Sequence, residues 1–214
     1  MEYENLTKII VIVGPMGSGK TSDLQSLLHK HELASGGEVA LFRHTTDTRE
    51  QAHKSHDGFA LFGGPIHVVS SSAQLKEVAG DRYRVVGIDE GQFFDEQLHK
   101  VVYELFLNGT KIFVSALDTD FLGEPFPTTM QLMVRPEVKI YKMKAVCMVC
   151  GKNATRTLRL DINGNVCKSG AQVTVGTNPY RPVCIVCFVK AFKNLLNEPM
   201  LTRLRRPFGT LPSV

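Results

Sequence analysis

The 214-residue sequence lacks an apolar run of the length that crosses a membrane, about 20 residues. Residues 1–5 are acidic and no basic segment precedes an apolar one, so we expect no secretory signal. A strong charge of one sign is also absent, because 25 lysines and arginines offset 21 acids to give +4. This small excess gives little support for a nucleic-acid partner. Together with a hydrophobic content of 43%, these absences predict a cytoplasmic globular protein with no membrane contact.

A glycine-rich, phosphate-binding pattern lies near the N-terminus. The apolar, β-branched residues 8–13 precede it, and residues 21–33, with leucines at helical spacing, follow it. The pattern is G-x-x-x-x-G-K-[ST], and its residues are Gly14, Pro15, Met16, Gly17, Ser18, Gly19, Lys20 and Thr21. In a P-loop the backbone N–H groups surround phosphate oxygens, the lysine binds the β- and γ-phosphates, and the hydroxyl can bind Mg²⁺. The complete motif in this context favours a phosphate-binding loop over a glycine-rich turn that binds no ligand.

Apolar segments rich in β-branched residues alternate with helical segments over the first half of the chain. The predicted strands are residues 38–43, 66–69, 83–88 and 110–116, and the predicted helices are residues 72–79 and 94–107. This alternation predicts an α/β fold of the P-loop NTPase type, with a mostly parallel sheet and helices on both faces. Residues 45–64 are polar and lack periodicity, and a loop of that length is usually functional or mobile.

A second candidate site follows the predicted strand at residues 83–88. The sequence Asp89-Glu90 ends an apolar run, as in the strand that delivers a carboxylate to the Mg²⁺ of P-loop proteins. Asp89 is therefore expected at the metal. Because successive strand residues point to opposite sides, Glu90 is free to act as a base. An acidic turn without function is the alternative, and the complete P-loop disfavours it.

Cysteine is scarce, with five in all, and every one lies between residues 147 and 187. Four form two C-x-x-C pairs, Cys147 with Cys150 and Cys184 with Cys187, which is the spacing of a structural zinc site. Two disulfides are the alternative, which a reducing cytoplasm disfavours. Cys167 is left over as a free thiol. The sequence thus predicts a P-loop domain (residues 1–144), a zinc-ribbon-like module (145–195) and a disordered tail (196–214).

These motifs together resemble the type II (cellular and poxvirus-like) thymidine kinases. The resemblance runs from the P-loop to the last cysteine pair. Besides the P-loop, it rests on D-T-R at residues 47–49, H-D at 56–57, I-D-E-G-Q-F-F at 88–94, A-L-D at 116–118, A-V-C-M-x-C at 145–150, and Tyr180 before Cys184.

The resemblance implies transfer of the γ-phosphoryl group of ATP, with Mg²⁺, to the 5′-hydroxyl of thymidine in nucleotide salvage. It implies that Glu90 accepts the hydroxyl proton, that Arg49 stabilises the transferring phosphate, and that Asp47 and Gln92 lie at the ATP and Mg²⁺ site. It also implies a homotetramer, with thymidine triphosphate (dTTP) as a feedback inhibitor.

The resemblance also implies a thymidine site and a loop, the lasso, that closes over the base. The side chains expected around thymidine are Met16, Phe93, Phe121, Phe126, Thr157 and Tyr180, and the lasso backbone is expected at Val173, Thr174, Val175, Gly176 and Thr177. For Phe121 and Phe126, ordinary core packing is an equal alternative. Two departures from the family are Gly17, where it usually has phenylalanine, and a lasso shorter by one residue.

Two other functions compete with the kinase. One is a nucleotide-regulated protein whose zinc ribbon binds nucleic acid, but that role needs clustered basic and aromatic residues. The segment at residues 173–176 is apolar and small instead. The other is an ATPase motor, for which the sequence offers no arginine-finger pair and no oligomerisation module.

Overall fold

The structure is a computed structural model that describes residues 9–35, 38–47, 62–173 and 180–206. The chain divides into two compact units. The first unit comprises Met1–Val13, Gly19–Asp118 and Pro125–Lys142, and the second comprises Gly14–Ser18, Thr119–Glu124 and Met143–Val214.

The first unit contains a parallel sheet of six strands. These are β1 (Ile9–Val13), β2 (Val39–His44), β3 (Ile66–Val69), β4 (Val85–Asp89), β5 (Lys111–Ala116) and β6 (Val138–Lys142). Their order across the sheet is β3-β2-β4-β5-β1-β6, and every pairing is parallel. The central strands are almost wholly buried, which explains why their sequences are continuous apolar runs.

Among the described residues, four helices connect these strands: α1 (Lys20–Ser35), α2 (Ser72–Ala79), α3 (Leu98–Leu107) and α4 (Pro127–Met133). The steps from β1 to β2 and from β2 to β3 run in one direction across the sheet, and the steps from β3 to β4, β4 to β5 and β5 to β6 run in the other. Right-handed crossovers therefore place α1 on one face and the other three helices on the second face. Helix α1 packs closely on β4, because a Cβ at Gly87 would lie 2.5 Å from Leu28 Cδ1. The predicted α/β class with helices on both faces is confirmed.

Some boundaries differ from the sequence prediction. The helix expected at residues 94–107 begins only at Leu98, and a 3₁₀ turn (Gly91–Phe93) lies before it. Neither α4 nor β6 was predicted. Of the long polar loop, only residues 45–47 and 62–64 are described, so most of that expectation lies outside the described residues.

The second unit is built from short strands and two helices. The strands are β7 (Ala145–Val146), β8 (Asn153–Ala154), β9 (Arg156–Arg159) and β10 (Tyr180–Val183), and the helices are α5 (Ile185–Phe192) and α6 (Glu198–Arg205). Strand β9 pairs with β10, and β7 with β8, both antiparallel. Their core contains Leu158, Val183 and Leu204 together with buried cysteines.

The expected disordered tail at residues 196–214 is wrong for its first part, which contains α6. The side chain of Asn197 accepts the Met200 N–H and caps the helix, and Pro199 lies in its first turn. Leu204 is fully buried, and Arg181 Nε donates to its carbonyl oxygen. This helix therefore belongs to the module that was expected to end at residue 195. Residues 207–214 lie outside the described residues.

Among the described residues, no helix combines the length and the apolar character that a membrane crossing requires.

Candidate active site and metal centre

The glycine-rich loop joins the end of β1 to the start of α1. Gly14 has φ +153°, and a Cβ there would lie 2.5 Å from the Met143 carbonyl oxygen, so only glycine fits. Gly17 and Gly19 also have positive φ, +71° and +84°. The Ser18 hydroxyl is buried and has no hydrogen-bond partner among the described residues. An orphaned donor in such a loop fits a phosphate ligand.

Asp89 lies at the carboxyl end of β4 and is 2% exposed. Its carboxylate accepts the Thr21 hydroxyl at 3.1 and 3.2 Å, the Ser115 hydroxyl, and the Glu90 N–H at 3.1 Å. A hydroxyl from the first turn of α1 and a carboxylate from β4 are the two ligands that P-loop proteins offer to Mg²⁺. These residues fit that metal. Lys20, the first residue of α1, is buried.

Glu90 follows the last residue of β4, and its side chain has different hydrogen-bond partners from that of Asp89. Its backbone is left-handed, with φ +51° and ψ +48°, which is uncommon for a residue with a Cβ. The Glu90 carboxylate accepts Gln92 Nε2 at 2.5 Å, and Gln92 Oε1 accepts the Leu117 N–H at 2.9 Å. The Gln92 amide is thus fixed at both ends and orients Glu90. The sequence placed Gln92 with the nucleotide residues but did not reveal this contact.

Arg43 is a charged residue that the sequence analysis missed. Its guanidinium binds Asp47 with Nη2 at 2.6 Å and Nε at 3.2 Å from Oδ2, and both side chains are buried. Arg43 is the register partner of Asp89 on the neighbouring strand. Since sites in parallel sheets form at the carboxyl ends of strands, this ion pair lies at the functional edge. An arginine at the end of a strand gives no signal by itself in a sequence.

In the second unit, Met16 of the glycine-rich loop meets Thr157 of β9. The Met16 N–H donates to Thr157 Oγ1 at 3.1 Å, and Thr157 is buried. Tyr180 begins β10 and is in register with Arg159, two residues along β9 from Thr157. Two residues expected near thymidine are therefore in contact, and a third lies on the same two-stranded ribbon.

The predicted aromatic residues are mostly buried. Phe121, in the second unit, is 1% exposed, and Phe126, in the first, is 4% exposed. Such burial agrees with the core-packing alternative in this conformation. Phe93 is half-buried, and Val173 is exposed.

The four predicted zinc ligands form one cluster in the second unit. The sulfur atoms of Cys147, Cys150, Cys184 and Cys187 all lie within 4.8 Å of one another. The Cys150 and Cys184 sulfurs are 3.6 Å apart. Tetrahedral Zn–S bonds of about 2.3 Å place sulfurs about 3.8 Å apart, so the cluster fits zinc. No two of the five cysteines form a disulfide, and Cys167 is outside the cluster.

The local backbone forms the two cysteine turns. The Gly151 N–H donates to the Cys147 carbonyl, with Gly151 at φ +74°, and Cys184 Sγ accepts the Cys187 N–H at the start of α5. Burial alone raises the pKa of the Cys150 thiol, but the Lys152 N–H and the neighbouring thiols lower it to about 7. Burial raises the pKa of Cys147 and of Cys187. A bound metal would ionise all four.

Comparison with known proteins decides the family. The family model "Thymidine kinase" matches residues 7–188. The chain belongs to the thymidine kinase family. It is 36% identical to the thymidine kinase of Bdellovibrio bacteriovorus over 170 residues, covering 78% of each chain. It is 35% identical to that of Thermococcus kodakarensis over 180 residues, covering 81% of this chain and 90% of the relative.

Among solved structures, this thymidine kinase family member is similar to the ATPase DotB of Legionella pneumophila. The TM-score is 0.39 at 13% identity, covering 61% of this chain and 35% of DotB. A structural similarity this low is not evidence about the function. As a member of the thymidine kinase family, the protein is a kinase.

Several predicted positions of this thymidine kinase family member lie outside the described residues. They are Arg49, His56, Asp57, Thr174, Val175, Gly176 and Thr177. The roles proposed for them remain predictions from the sequence.

Proposed function

We propose that the protein transfers the γ-phosphoryl group of ATP to the 5′-hydroxyl of thymidine, and also of deoxyuridine, in pyrimidine salvage. The observation that carries this proposal is that two neighbouring acids have different hydrogen-bond partners. Asp89 is bound to Thr21 of the P-loop, whereas Glu90 turns away and is held by Gln92. A metal carboxylate beside a separate base is what a hydroxyl-phosphorylating kinase needs.

The nucleotide half of the reaction uses the glycine-rich loop. We assign phosphate binding to the loop N–H groups, to the Ser18 hydroxyl and to Lys20, whose charge stabilises the β- and γ-phosphates. Thr21 and Asp89 would hold Mg²⁺. When bound, this metal neutralises charge on the phosphate oxygens.

The acceptor half uses Glu90 as the general base. Its carboxylate is oriented through Gln92 and the Leu117 backbone, so it does not have to be ordered during the reaction. Arg49 is proposed to stabilise the transferring phosphate. Asp47 lies at the same edge of the sheet as Asp89, and its charge is balanced by Arg43.

Thymidine is proposed to bind among six side chains and the lasso backbone. The side chains are Met16, Phe93, Phe121, Phe126, Thr157 and Tyr180, and the backbone spans residues 173–177. The backbone offers a donor to O4 of thymine and an acceptor to its N3–H. Cytosine has a donor amino group in place of O4 and an acceptor in place of N3–H. We therefore expect deoxycytidine not to be phosphorylated.

The remaining properties are also proposals. Zinc, held by the four cysteines, is structural, because four thiolates leave no open position for a substrate. The protein is a cytoplasmic homotetramer that dTTP inhibits, and it needs no nucleic acid.

The test is transfer of label from ATP, radiolabelled on the γ-phosphate, to thymidine, with and without DNA. We expect labelled thymidine monophosphate, formed at the same rate in both cases. Lys20→Ala should abolish transfer and leave the fold intact, whereas Lys30→Ala, an exposed lysine on α1, should change nothing. ATP hydrolysis that requires DNA and leaves thymidine unlabelled would support the zinc-ribbon binding protein instead.

A further inference from the structure

One face of the ribbon formed by β9 and β10 packs into the core of the second unit, and the opposite face contains Thr157 and Arg159. Leu158 and Val183 pack into the core of the second unit. Because side chains alternate along a strand, Thr157 and Arg159 point to the opposite side. Thr157 binds the Met16 N–H there, and Arg159 is 5% exposed two residues further on. A buried arginine thus shares a face with the residue that contacts the phosphate-binding loop.

The Arg159 guanidinium donates hydrogen bonds to the backbone of a tight turn. Its Nη1 donates to the Ala171 carbonyl at 2.9 Å, and its Nη2 donates to the Ser169 carbonyl at 3.1 Å. Gly170, which lies between them, has φ +124°, and a Cβ there would lie 2.4 Å from Arg159 Nη2. The turn therefore needs a glycine as well as the arginine. It leads directly into residue 173, where the thymidine-binding backbone is proposed to begin.

The same guanidinium also covers an aromatic ring. The Arg159 Cζ atom lies 3.6 Å from the centre of the Phe121 ring, in a cation–π contact. Phe121 belongs to residues 119–124, a segment far from β9 in the sequence but within the same unit. One side chain thus connects the ribbon, the turn at residues 169–171 and Phe121.

Packing alone does not account for an arginine at this position. Removing a charge from water is costly, and an apolar side chain of similar volume commonly replaces a buried charge at no loss of stability. What an apolar side chain could not do is bind two carbonyls and fix their orientation.

We propose that Arg159 is a positioning residue for the nucleoside. It fixes the turn at residues 169–171 and the Phe121 ring without touching the reacting atoms. This role rests on the proposed thymidine kinase activity. It predicts an effect on thymidine binding that is separate from the binding of ATP and from the chemical step.

The test compares steady-state kinetics of Arg159→Lys, Gly170→Ala and the wild type. Lysine keeps the charge but loses the planar fork, so KM for thymidine should rise roughly tenfold or more. KM for ATP and kcat should stay within about threefold, since neither depends on this turn. Gly170→Ala should reproduce the change with Arg159 still present, because the new Cβ displaces Nη2.

Arg181→Lys is the matched control. Arg181 is also buried and donates to carbonyl oxygens, but it lies on the other face of the ribbon. The Arg181→Lys substitution should lower the melting temperature with little change in KM for thymidine. A double variant, Arg159→Lys with Phe121→Leu, should raise KM by less than the product of the single effects, because the two residues act together.

The outcomes separate the two claims. A wild type that makes no thymidine monophosphate overturns the proposed function and, with it, this role. An active wild type with unchanged KM for thymidine in both Arg159→Lys and Gly170→Ala overturns only the role of Arg159. Equal losses in thymidine affinity, ATP affinity and kcat also overturn it, since they indicate general damage to the fold.

Discussion

Asp89 and Glu90 are adjacent in the chain, yet they have different hydrogen-bond partners, and we propose different roles for them. Glu90→Gln keeps the size of the side chain but removes its ability to accept a proton. We expect turnover to fall by about two to four orders of magnitude, with both KM values nearly unchanged. Steady-state kinetics check this, with Glu96→Gln, an exposed neighbour, as the control. Near-normal turnover would remove Glu90 from the role of base.

Arg43 and Asp47 form a buried ion pair, so the loss of one partner leaves the other charge uncompensated. Arg43→Gln should destabilise the protein by about 3 kcal/mol, and Arg43→Gln with Asp47→Asn by clearly less. Arg84→Gln, which breaks an exposed pair with Glu38, should cost at most about 1 kcal/mol. Urea denaturation measures all three. Equal costs for the single and double variants would show that the pairing is not what stabilises this edge.

At this scale the sequence located most of the candidate residues but not their contacts. The P-loop, Asp89 and Glu90 were predicted because a motif fixes their spacing. Arg43 pairs with Asp47, which is only four residues further along the chain, but an arginine at the end of a strand belongs to no motif. The contact between Gln92 and Leu117 joins residues 25 positions apart, so no local spacing encodes it.

At the scale of elements, we expect the cysteine turns and the start of helix α5 to depend on bound zinc. We expect one zinc per chain, and Cys150→Ser should lose most of it and lower the melting temperature, because metal binding and local folding are coupled. Cys167→Ser, outside the cluster, should retain zinc. Elemental analysis and a thermal melt provide the measurements. Freshly purified, reduced wild type without zinc would contradict the assignment.

The start of α2 is tied to the segment before α3 through Asp95. Burial alone raises the pKa of this carboxyl, but hydrogen bonds from Ser72 and Gln97 bring it below its ordinary value of 3.8. A lowered folded pKa stabilises the protein above 3.8, and this stabilisation is lost as the pH falls through the folded pKa.

Asp95→Asn should therefore lower the melting temperature at pH 7 and have less effect near pH 3. Melting curves across this range check the prediction, with Asp81→Asn as an exposed control. A difference that stays constant with pH would show that charge has no part in it.

Elements with continuous apolar runs were predictable, whereas β6, which lacks such a run, was not predicted. β6 lies at the edge of the sheet, and lysines interrupt its five residues, so its apolar signal is short and broken. The prediction of a disordered tail was wrong for another reason. The cap signal of Asn197 and Pro199 outweighs the prolines and arginines that suggested disorder.

At the scale of the whole molecule, the alternation of strands and helices predicted the parallel α/β class. The order of strands follows from crossover handedness and the choice of neighbours, which periodicity alone does not encode. The domain boundary also differs, because residues 14–18 and 119–124 belong to the second unit. Short segments of this kind carry no compositional signature, since long-range contacts assign them.

The central claim is that this kinase phosphorylates thymidine and selects its base. The most direct measurement compares kcat/KM for thymidine, deoxyuridine and deoxycytidine under identical conditions. Each mismatched polar group costs about 1–3 kcal/mol, and sites built on such bonds discriminate by roughly 10⁴. We expect thymidine and deoxyuridine to be phosphorylated and deoxycytidine to be essentially refused. Deoxycytidine within about tenfold of thymidine would contradict the account and indicate a broader deoxynucleoside kinase.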